Sequence, residues 1–364
     1  MGYNNDLIYW QPLLRDFVKF FPNTIFLTCE TQAKIEQTNC EVEKSVKKLT
    51  IVIGKLRFSI PSPFILIKLF KYKPDLLVIS EFGLLSIYAA FYKIFNKKSQ
   101  LLLLVENDPS FLENFFKKKR KNIFFTTIRR FIAKCADKIL CNNKKTAEYL
   151  ESDLKVKKEK ITVACYLSSS QEINSTLVDK PKGKIVLLFV GRLIKSKGVH
   201  LLIEAVRLLS EASKNRLFIK IVGDGSEFVN LEKLTETYGL SRVITYYGRQ
   251  PYSKLGSFFS SSDIFVFPTL GDYRALVGFE AISAGLPIIG SVFDGASDEI
   301  IKEGLNGFII DPLDITTLAN KIQFFIENEN KIVEFGRASI EIYQRVKPEI
   351  AAANIINAAK TCFT

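Results

Sequence analysis

The sequence predicts a two-domain α/β protein in which buried strands alternate with helices. At 364 residues and 47% hydrophobic content, the chain is long enough to build two cores of ordinary size. Short, nearly continuous apolar runs alternate with helical patterns in both halves, as in parallel sheets covered on both faces. The polar stretch 168–184, which contains Pro181 and Gly183, is the predicted linker. The predicted domains are residues 1–170 and 171–345, followed by a closing helix in 346–364.

The first half contains six apolar runs with the length of strands, and the intervals between them have helical patterns. The runs are Thr24–Thr28, Leu49–Ile53, Asp75–Ile79, Leu101–Val105, Lys138–Cys141 and Ile161–Cys165. Closing helices are predicted over Thr316–Lys360. The first half is therefore expected to form its own parallel sheet.

The second half opens with a strand, a basic loop and a helix. Lys184–Val190 is the strand, Gly191–Gly198 the loop, and an amphipathic helix runs from Val199 to about residue 209. Loops that follow parallel strands gather along one edge of an open sheet. Arg192 and Lys197 are therefore expected to converge on the other loops of that edge.

Two carboxylates, Asp272 and Glu280, flank a second junction between a loop and a helix. Asp263–Phe267 is an apolar strand, and a buried helix begins near Leu276 and is ended by Gly285-Leu-Pro287. The positive end of a helix and its exposed N–H groups suit a phosphate. A carboxylate one turn further in can accept hydrogen bonds from a vicinal diol such as a ribose. The plainer alternative makes Asp272 a turn residue and Glu280 a charge that complements the helix dipole.

The basic loop favours the ligand-binding interpretation. Two cations and a helix N-terminus can neutralise a diphosphate leaving group without a metal, whereas Arg192 and Lys197 taken singly are ordinary loop charges. The chain has no Asp-x-Asp pair and no His/Cys cluster with ligand spacing, so neither a metal nor a cofactor is expected. His200 is the only histidine, which excludes a histidine-based triad.

An ordered set of motifs covers residues 184 to about 330. The set is Phe189-Val-Gly-Arg192, Lys197-Gly198, Ile221-Val-Gly-Asp-Gly225, Tyr247-Gly248, Ser262–Pro268, Asp272-x7-Glu280, Gly285-Leu-Pro287 and Asn306-Gly307. It resembles the nucleotide-binding half of the family-four retaining glycosyltransferases of GT-B type (glycosyl transferases group 1). The resemblance implies two Rossmann-like domains that face each other across a cleft, the last helix crossing back to the first domain.

The resemblance also implies catalytic roles. Arg192 and Lys197 would contact the donor diphosphate. Asp272 takes the first position of the family's acidic pair, usually Glu, and would bind hydroxyls of the transferred sugar. Retaining members are thought to react on one face of the donor sugar while the departing phosphate takes the acceptor proton, so no protein base is needed.

The donor-binding set implied by the resemblance continues into the helix. Glu280 would hold the ribose hydroxyls, and backbone N–H groups at Leu276 and Val277 would meet the phosphates. Gly191 belongs to the same set. Arg274 lies where the family often has Pro-(Phe/Trp)-Gly and would add a cation near the sugar.

The first half departs from the family pattern. Family members normally open with a strand and a Gly-rich turn, whereas Met1–Ile8 leads almost directly into a predicted helix, Trp10–Phe17. The first strand is therefore expected to be missing or very short, either because the start is truncated or because the acceptor side is built differently. A histidine often found on the acceptor side is also absent, and Glu106 or Asn107 either lines the cleft there or caps a loop.

All of the excess positive charge lies in the first half. Residues 1–170 hold 29 Lys+Arg and 16 Asp+Glu, a net of +13, and the remaining 22 basic and 22 acidic residues cancel. The densest cluster stands close to five phenylalanines and consists of Lys117, Lys118, Lys119, Arg120 and Lys121. Basic and aromatic residues together predict a segment at an anionic membrane surface, the alternative being a solvated helix face. Nucleic acid is not expected, because no recognition motif accompanies the cluster.

The remaining features favour a cytoplasmic protein. Six cysteines without C-x-x-C spacing indicate reduced thiols, and no signal peptide is evident. The apolar stretch 49–70 is broken by Lys55, Arg57, Pro61 and Pro63, so no segment reaches the length of a membrane span. We therefore expect a cytoplasmic protein, peripheral at the inner face of the membrane.

The resulting hypothesis is a retaining glycosyltransferase. It would move a sugar from a nucleotide diphosphate-sugar donor to a glycan or lipid-linked acceptor in the assembly of a cell-surface polysaccharide or glycolipid. Two alternatives stay open: a nucleotide-sugar epimerase or hydrolase of the same fold, and a degraded transferase that serves as a binding subunit.

Overall fold

The computed structural model describes residues 15–21, 23–27, 41–43, 48–53, 56–61, 63–106, 123–170 and 180–364. The described residues up to Ser168, together with Pro348–Thr364, form one compact unit, here called unit 1. The described residues of Ser169–Lys347 form the other compact unit, here called unit 2. Within these described ranges, no helix is both long and apolar enough to span a membrane.

The elements are numbered in chain order. The strands are β1 Ile25–Leu27, β2 Glu41–Glu43, β3 Lys48–Ile53, β4 Leu56–Pro61, β5 Leu76–Ser80, β6 Gln100–Val105, β7 Lys138–Cys141, β8 Ile161–Val163, β9 Ile185–Val190, β10 Leu217–Val222, β11 Ile244–Gly248, β12 Ile264–Phe267, β13 Ile288–Ser291 and β14 Gly307–Ile310. The main helices are α1 Phe64–Tyr72, α2 Leu84–Phe95, α3 Ile123–Cys135, α4 Lys144–Ser152, α5 Val199–Arg207, α6 Glu211–Lys214, α7 Phe228–Thr237, α8 Tyr252–Ser260, α9 Leu276–Ser283, α10 Ser297–Ile300, α11 Ile315–Glu327, α12 Glu329–Tyr343 and α13 Pro348–Lys360.

Unit 1 is built on a four-stranded parallel sheet in the order β5-β6-β7-β8. Five of the six residues of β6 are fully buried, because helices cover both faces of a parallel sheet and leave no solvated side. On the C-terminal side of the chain, α13 packs against β7, and Asn354 Nδ2 donates to the Cys165 carbonyl oxygen at 2.8 Å.

All six strands predicted for the first half are present, but only four of them form the parallel sheet of unit 1. The predicted strand Thr24–Thr28 contains β1, which pairs in parallel with β2 in a separate two-stranded sheet. The predicted strand Leu49–Ile53 is β3, and it pairs antiparallel with β4, a strand that was not predicted. Arg57 and Pro61 interrupt the apolar pattern of β4, which explains the omission. The chain between the predicted strands Leu49–Ile53 and Asp75–Ile79 therefore completes a β-hairpin before it forms helix α1.

Unit 2 contains a six-stranded parallel sheet in the order β11-β10-β9-β12-β13-β14. The chain starts at β9 in the middle, moves outward to β11, then returns to the other side of β9 and continues from β12 to β14. The predicted central strands are confirmed, and every residue of β9 and β12 is buried. The order reverses between β9 and β12, which is where open α/β sheets bind ligands, beyond the carboxyl ends of the strands.

Candidate active site at the switch point of unit 2

The loops that follow β9 and β12 are hydrogen-bonded to each other at the switch point. The Ser196 carbonyl oxygen accepts from the Leu270 N–H at 2.7 Å and from the Thr269 hydroxyl at 3.0 Å. The β9 loop closes with a 3-10 turn over Lys195–Lys197, after which α5 begins. Residues far apart in sequence are thereby held on one edge, as the sequence predicted for this pair of loops.

A glycine makes this contact possible. Gly198 has φ +71°, and a Cβ at this position would lie 1.8 Å from the Pro268 carbonyl oxygen. Only glycine adopts a left-handed backbone at low cost and also leaves room for another main chain. The Lys197-Gly198 pair therefore brings the β9 loop onto the end of β12.

Lys197 and Asp272 form an ion pair at the centre of this edge. Lys197 Nζ donates to Asp272 Oδ2, and the two side chains are 13% and 21% exposed. The ammonium also lies 5.4 Å from the centroid of the Phe267 ring. The structure thus brings together two of the three predicted catalytic residues, a cation and a carboxylate in a partly desolvated setting.

Asp294, which was not predicted from the sequence as a site residue, lies beside Asp272. The Asp272 N–H donates to the Phe293 carbonyl oxygen at 3.0 Å, and the Gly295 N–H donates to the Asp272 carbonyl oxygen, also at 3.0 Å. Asp294 Oδ1 accepts from the Ala275 N–H at 3.0 Å, just before α9. Burial, and secondly the charge of Asp272, raises the pKa of Asp294 to about 7. The sequence did contain a signal for Asp294 as a site residue, because Asp294 follows strand β13 much as Asp272 follows strand β12.

The start of α9 presents an uncapped, positive helix end. Leu276 and Val277, the predicted phosphate-contacting residues, form its first turn and are half-buried. No side chain caps the helix at Ala275, and its first turn holds no acidic residue. The N–H groups of a first helical turn have no partner within their own helix, so this end can receive an anion.

Glu280 lies in the second turn of α9 and is buried, with 2% exposure. Its Oε1 accepts from the Ser169 hydroxyl at 2.8 Å and from the Tyr252 hydroxyl at 3.0 Å. The carboxylate is therefore already engaged by hydroxyl groups, the kind of donor that a ribose offers. A ribose at this position has to replace one of these two donors or join them.

Arg274 has a different environment from the one expected. Its side chain is only 1% exposed, its guanidinium donates to Glu299 Oε1 at 2.5 Å, and it stacks 4.5 Å from the centroid of the Phe279 ring. Burial raises the pKa of Glu299, an effect that the Arg274 charge opposes. This placement gives no support to the prediction that Arg274 contacts the donor sugar, since the guanidinium joins the loop before α9 to α10 and packs on α9.

Arg192 and Gly191 stand at the start of the β9 loop. The Arg192 side chain is exposed, and the Gly191 N–H donates to the Val222 carbonyl oxygen at 3.0 Å. The Gly191 N–H is therefore not available to a ligand. Next to it, the Leu193 N–H donates to the Asp224 carbonyl oxygen at 2.9 Å, which supports the loop from the β10 side.

The carboxyl edge of the unit 1 sheet carries a second acidic pair. Glu81 follows β5 with φ 62°, and its Oε1 accepts from the Glu106 N–H at 2.5 Å. Burial raises the pKa of Glu81 to about 7, and the charge of Glu106 adds to the rise. Asn107, the basic cluster 117–121 and the predicted start of the chain, residues 1–8, lie outside the described residues. In the described ranges, no three His, Cys, Asp or Glu side chains are grouped as metal ligands.

Comparison with known proteins finds glycosyltransferases that are similar to this chain. Residues 170–341 match the family model described as "Glycosyl transferases group 1". An uncharacterized glycosyltransferase of Methanocaldococcus jannaschii is 30% identical over 241 residues, which are 64% of this chain and 61% of that protein. The lipopolysaccharide core biosynthesis glycosyltransferase LpsE of Rhizobium meliloti is 27% identical over 209 residues, 56% of this chain and 59% of that protein.

A solved structure extends the fold comparison to nearly the whole chain. Anabaena HepE, in its complex with UDP and glucose, superposes with a TM-score of 0.70 at 18% identity, covering 96% of this chain and 95% of that one. The chain spans about three fifths of the two curated relatives above. The predicted fold class, α/β with two parallel-sheet domains, is confirmed. Residues 170–341 are therefore similar to the glycosyl transferases group 1 family, and the chain has the GT-B type of fold.

Proposed function

We propose that the protein is a retaining glycosyltransferase that moves a sugar from a nucleotide diphosphate-sugar to a glycan or lipid-linked acceptor. The observation that carries the proposal is the Lys197–Asp272 ion pair at the switch point of unit 2, beside the uncapped start of α9. The pair supplies a cation for phosphate and a carboxylate for sugar hydroxyls. The LpsE relative, named for lipopolysaccharide core biosynthesis, supports a role in assembling a cell-surface glycan or glycolipid.

The proposed division of labour follows the positions of the residues. Arg192, Lys197 and the N–H groups of Leu276 and Val277 stabilise the negative charge that builds up on the departing diphosphate. Donor binding then shifts Lys197 from Asp272 toward phosphate, and Asp272 turns to the hydroxyls of the sugar. Glu280 holds the ribose. The Asp272 carboxylate, which stands among Arg192, Lys197 and the positive start of α9, orients the sugar without metal assistance.

The chemical step needs no histidine. The bond between the anomeric carbon and the phosphate oxygen breaks, the acceptor oxygen attacks the same face of the sugar, and the departing phosphate takes the acceptor proton. We propose that the acceptor side lies in residues 1–170 and the donor side in 171–345, with residues 346–364 returning to the first domain. The surplus charge of residues 1–170 supports a cytoplasmic protein held peripherally at the inner face of a membrane.

A thermal-shift screen against uridine, guanosine and adenosine diphosphates and their sugars tests the donor site, because a ligand of the folded state raises its stability. Uridine compounds come first, since the HepE relative was crystallised with UDP and glucose. Glu280→Ala is expected to abolish the shift and the sugar transfer, whereas Glu236→Ala, at an exposed position of α7, is expected to keep both. Unchanged turnover in Glu280→Ala would refute the donor assignment.

Product analysis separates the remaining possibilities. Formation of a new glycosidic bond with the donor's anomeric configuration supports the proposal. Release of an epimer or a free sugar at full rate without acceptor would indicate an epimerase or a hydrolase. A donor-induced shift without any turnover would indicate a binding subunit.

A further inference from the structure

Helices α1 and α2 of unit 1 consist mainly of apolar residues, yet one side of each is exposed. Their sequences, FILIKLFKY and LLSIYAAFYKIF, contain no acidic residue. The side chains that pack inward are Ile65 and Leu69 from α1 and Ala89, Ala90 and Tyr92 from α2. Helices with so many apolar side chains are normally buried in a protein or a membrane, so the outer side of this pair calls for a partner.

The exposed apolar side chains form one contiguous surface. They are 43% to 69% exposed and comprise Phe64, Ile67, Phe70, Phe91, Ile94 and Phe95, here called the outer aromatic face. The Phe91 and Phe95 ring centroids are 5.3 Å apart, and those of Phe70 and Phe95 are 6.4 Å apart, so the face crosses from one helix to the other. Single exposed apolar residues are ordinary, but a connected set of this kind marks an interaction site.

Four exposed lysines against one exposed acid, Asp75, make the charge around this face mainly positive. Lys71 and Lys73 stand at the end of α1, and Lys97 and Lys98 follow the end of α2, all four with exposed side chains. Lysines at helix C-termini also complement the helix dipole, which accounts for their position but not for the exposed rings beside them. Aromatic rings bordered by cations are the combination that binds the interface of an anionic bilayer.

We propose that the outer aromatic face is a membrane-docking surface that inserts its rings among the headgroups of anionic lipids. The inference rests on the membrane association proposed above and names the surface responsible. It is independent of the donor site, whose residues all belong to unit 2. The occupant is a lipid surface rather than a protein groove, because exposed lysines stand at the C-terminal ends of the two helices that carry the rings, and anionic headgroups supply phosphates for them.

Vesicle binding of the full-length protein tests the proposal. The protein is expected to co-sediment with phosphatidylcholine vesicles that contain phosphatidylglycerol. This binding is expected to weaken in high salt and to be far weaker with vesicles of phosphatidylcholine alone. The double variant Phe91→Ser/Phe95→Ser is expected to bind about tenfold or more weakly, from the lost burial of two rings. Leu313→Ser, an equally exposed apolar position of unit 2, is the control and is expected to bind like wild type.

A fluorescence reporter covers the case in which the double variant folds poorly. The chain has a single tryptophan, so Trp10→Phe/Phe91→Trp places one indole on the face, and its emission is expected to shift to the blue with anionic vesicles. Trp10→Phe/Leu313→Trp is expected to show no shift. An unshifted indole at position 91 on vesicle-bound protein would overturn the proposal.

Two further readouts distinguish other outcomes. If the wild type self-associates in sedimentation velocity and Phe91→Ser/Phe95→Ser does not, the face binds a second copy of the chain and the proposal is wrong. The donor-induced thermal shift is measured on the same variants and is expected to be unchanged. Its absence in the wild type would count against the donor site, not against the docking surface.

Discussion

Lys197 is the residue whose chemistry depends most on its exact position. Lys195 belongs to the same 3-10 turn and has the same side chain, but it is exposed, whereas Lys197 contacts Asp272 and Phe267. The pair of lysines therefore offers a matched comparison between a site cation and a loop charge.

Lys197→Met is expected to lower kcat for sugar transfer roughly 10²-fold to 10³-fold, the usual cost of removing one group that stabilises developing charge. Lys195→Met is expected to change it little. Steady-state kinetics with a labelled donor would show the difference. Equal losses in both variants would mean that the loop needs only net positive charge.

Arg274 is expected to act on stability rather than on the donor. Arg274→Met leaves Glu299 buried without its cation, which costs about 3–5 kcal/mol for a buried pair broken on one side. Arg274→Met/Glu299→Leu removes both charges and is expected to recover most of that loss. Urea denaturation measures both variants. If Arg274→Met instead raised KM for the donor at unchanged stability, the donor-contacting prediction for Arg274 would be restored.

At the scale of elements, the site depends on how closely the β9 and β12 loops approach. Two glycines with the same backbone conformation isolate this effect, because Gly183 and Gly198 both have φ +71°. A Cβ on Gly183 meets nothing within 4 Å, whereas one on Gly198 meets the Pro268 main chain.

Gly183→Ala is expected to cost about 1 kcal/mol, the price of a left-handed alanine. Gly198→Ala adds the clash, for a total of about 3 kcal/mol, and is expected to lose the donor-induced thermal shift because the loops must separate. Urea denaturation and the nucleotide screen on both variants provide the measurements. Similar behaviour of the two variants would show that loop contact is dispensable.

The elements also show what the sequence could predict. Apolar runs such as β9 and β12 were found because parallel strands need hydrophobic side chains on both faces, and the meeting of Lys197 with Asp272 follows from loops sharing one edge. Strand β4 was missed because its polar residues hide the pattern, and pairing in a hairpin depends on a partner strand. The ion pair of Arg274 could not be predicted for a related reason: its partner Glu299 is 25 residues away, and burial of an ion pair is a property of packing.

At the scale of the whole molecule, the described part of each unit contains an acid whose pKa is raised to about 7 at the carboxyl edge of its main parallel sheet. Glu81 is in unit 1 and Asp294 in unit 2, with burial as the main cause in both cases. In the unfolded chain such groups titrate near 4. At pH values between the unfolded pKa, about 4, and the folded pKa, about 7, the folded state binds more protons than the unfolded state.

The free energy of unfolding is therefore expected to fall as pH rises from about 4 to about 7, because this stabilisation is complete below the unfolded pKa and is lost through the folded one. Each group contributes at most about 1.4 kcal/mol per pH unit. Glu81→Gln and Asp294→Asn should each remove one share of the slope in urea denaturation at pH 5 to 8, whereas Glu148→Gln, at an exposed position of unit 1, should not. If all four proteins gave the same slope, these two carboxyls would not be the groups that link protonation to folding.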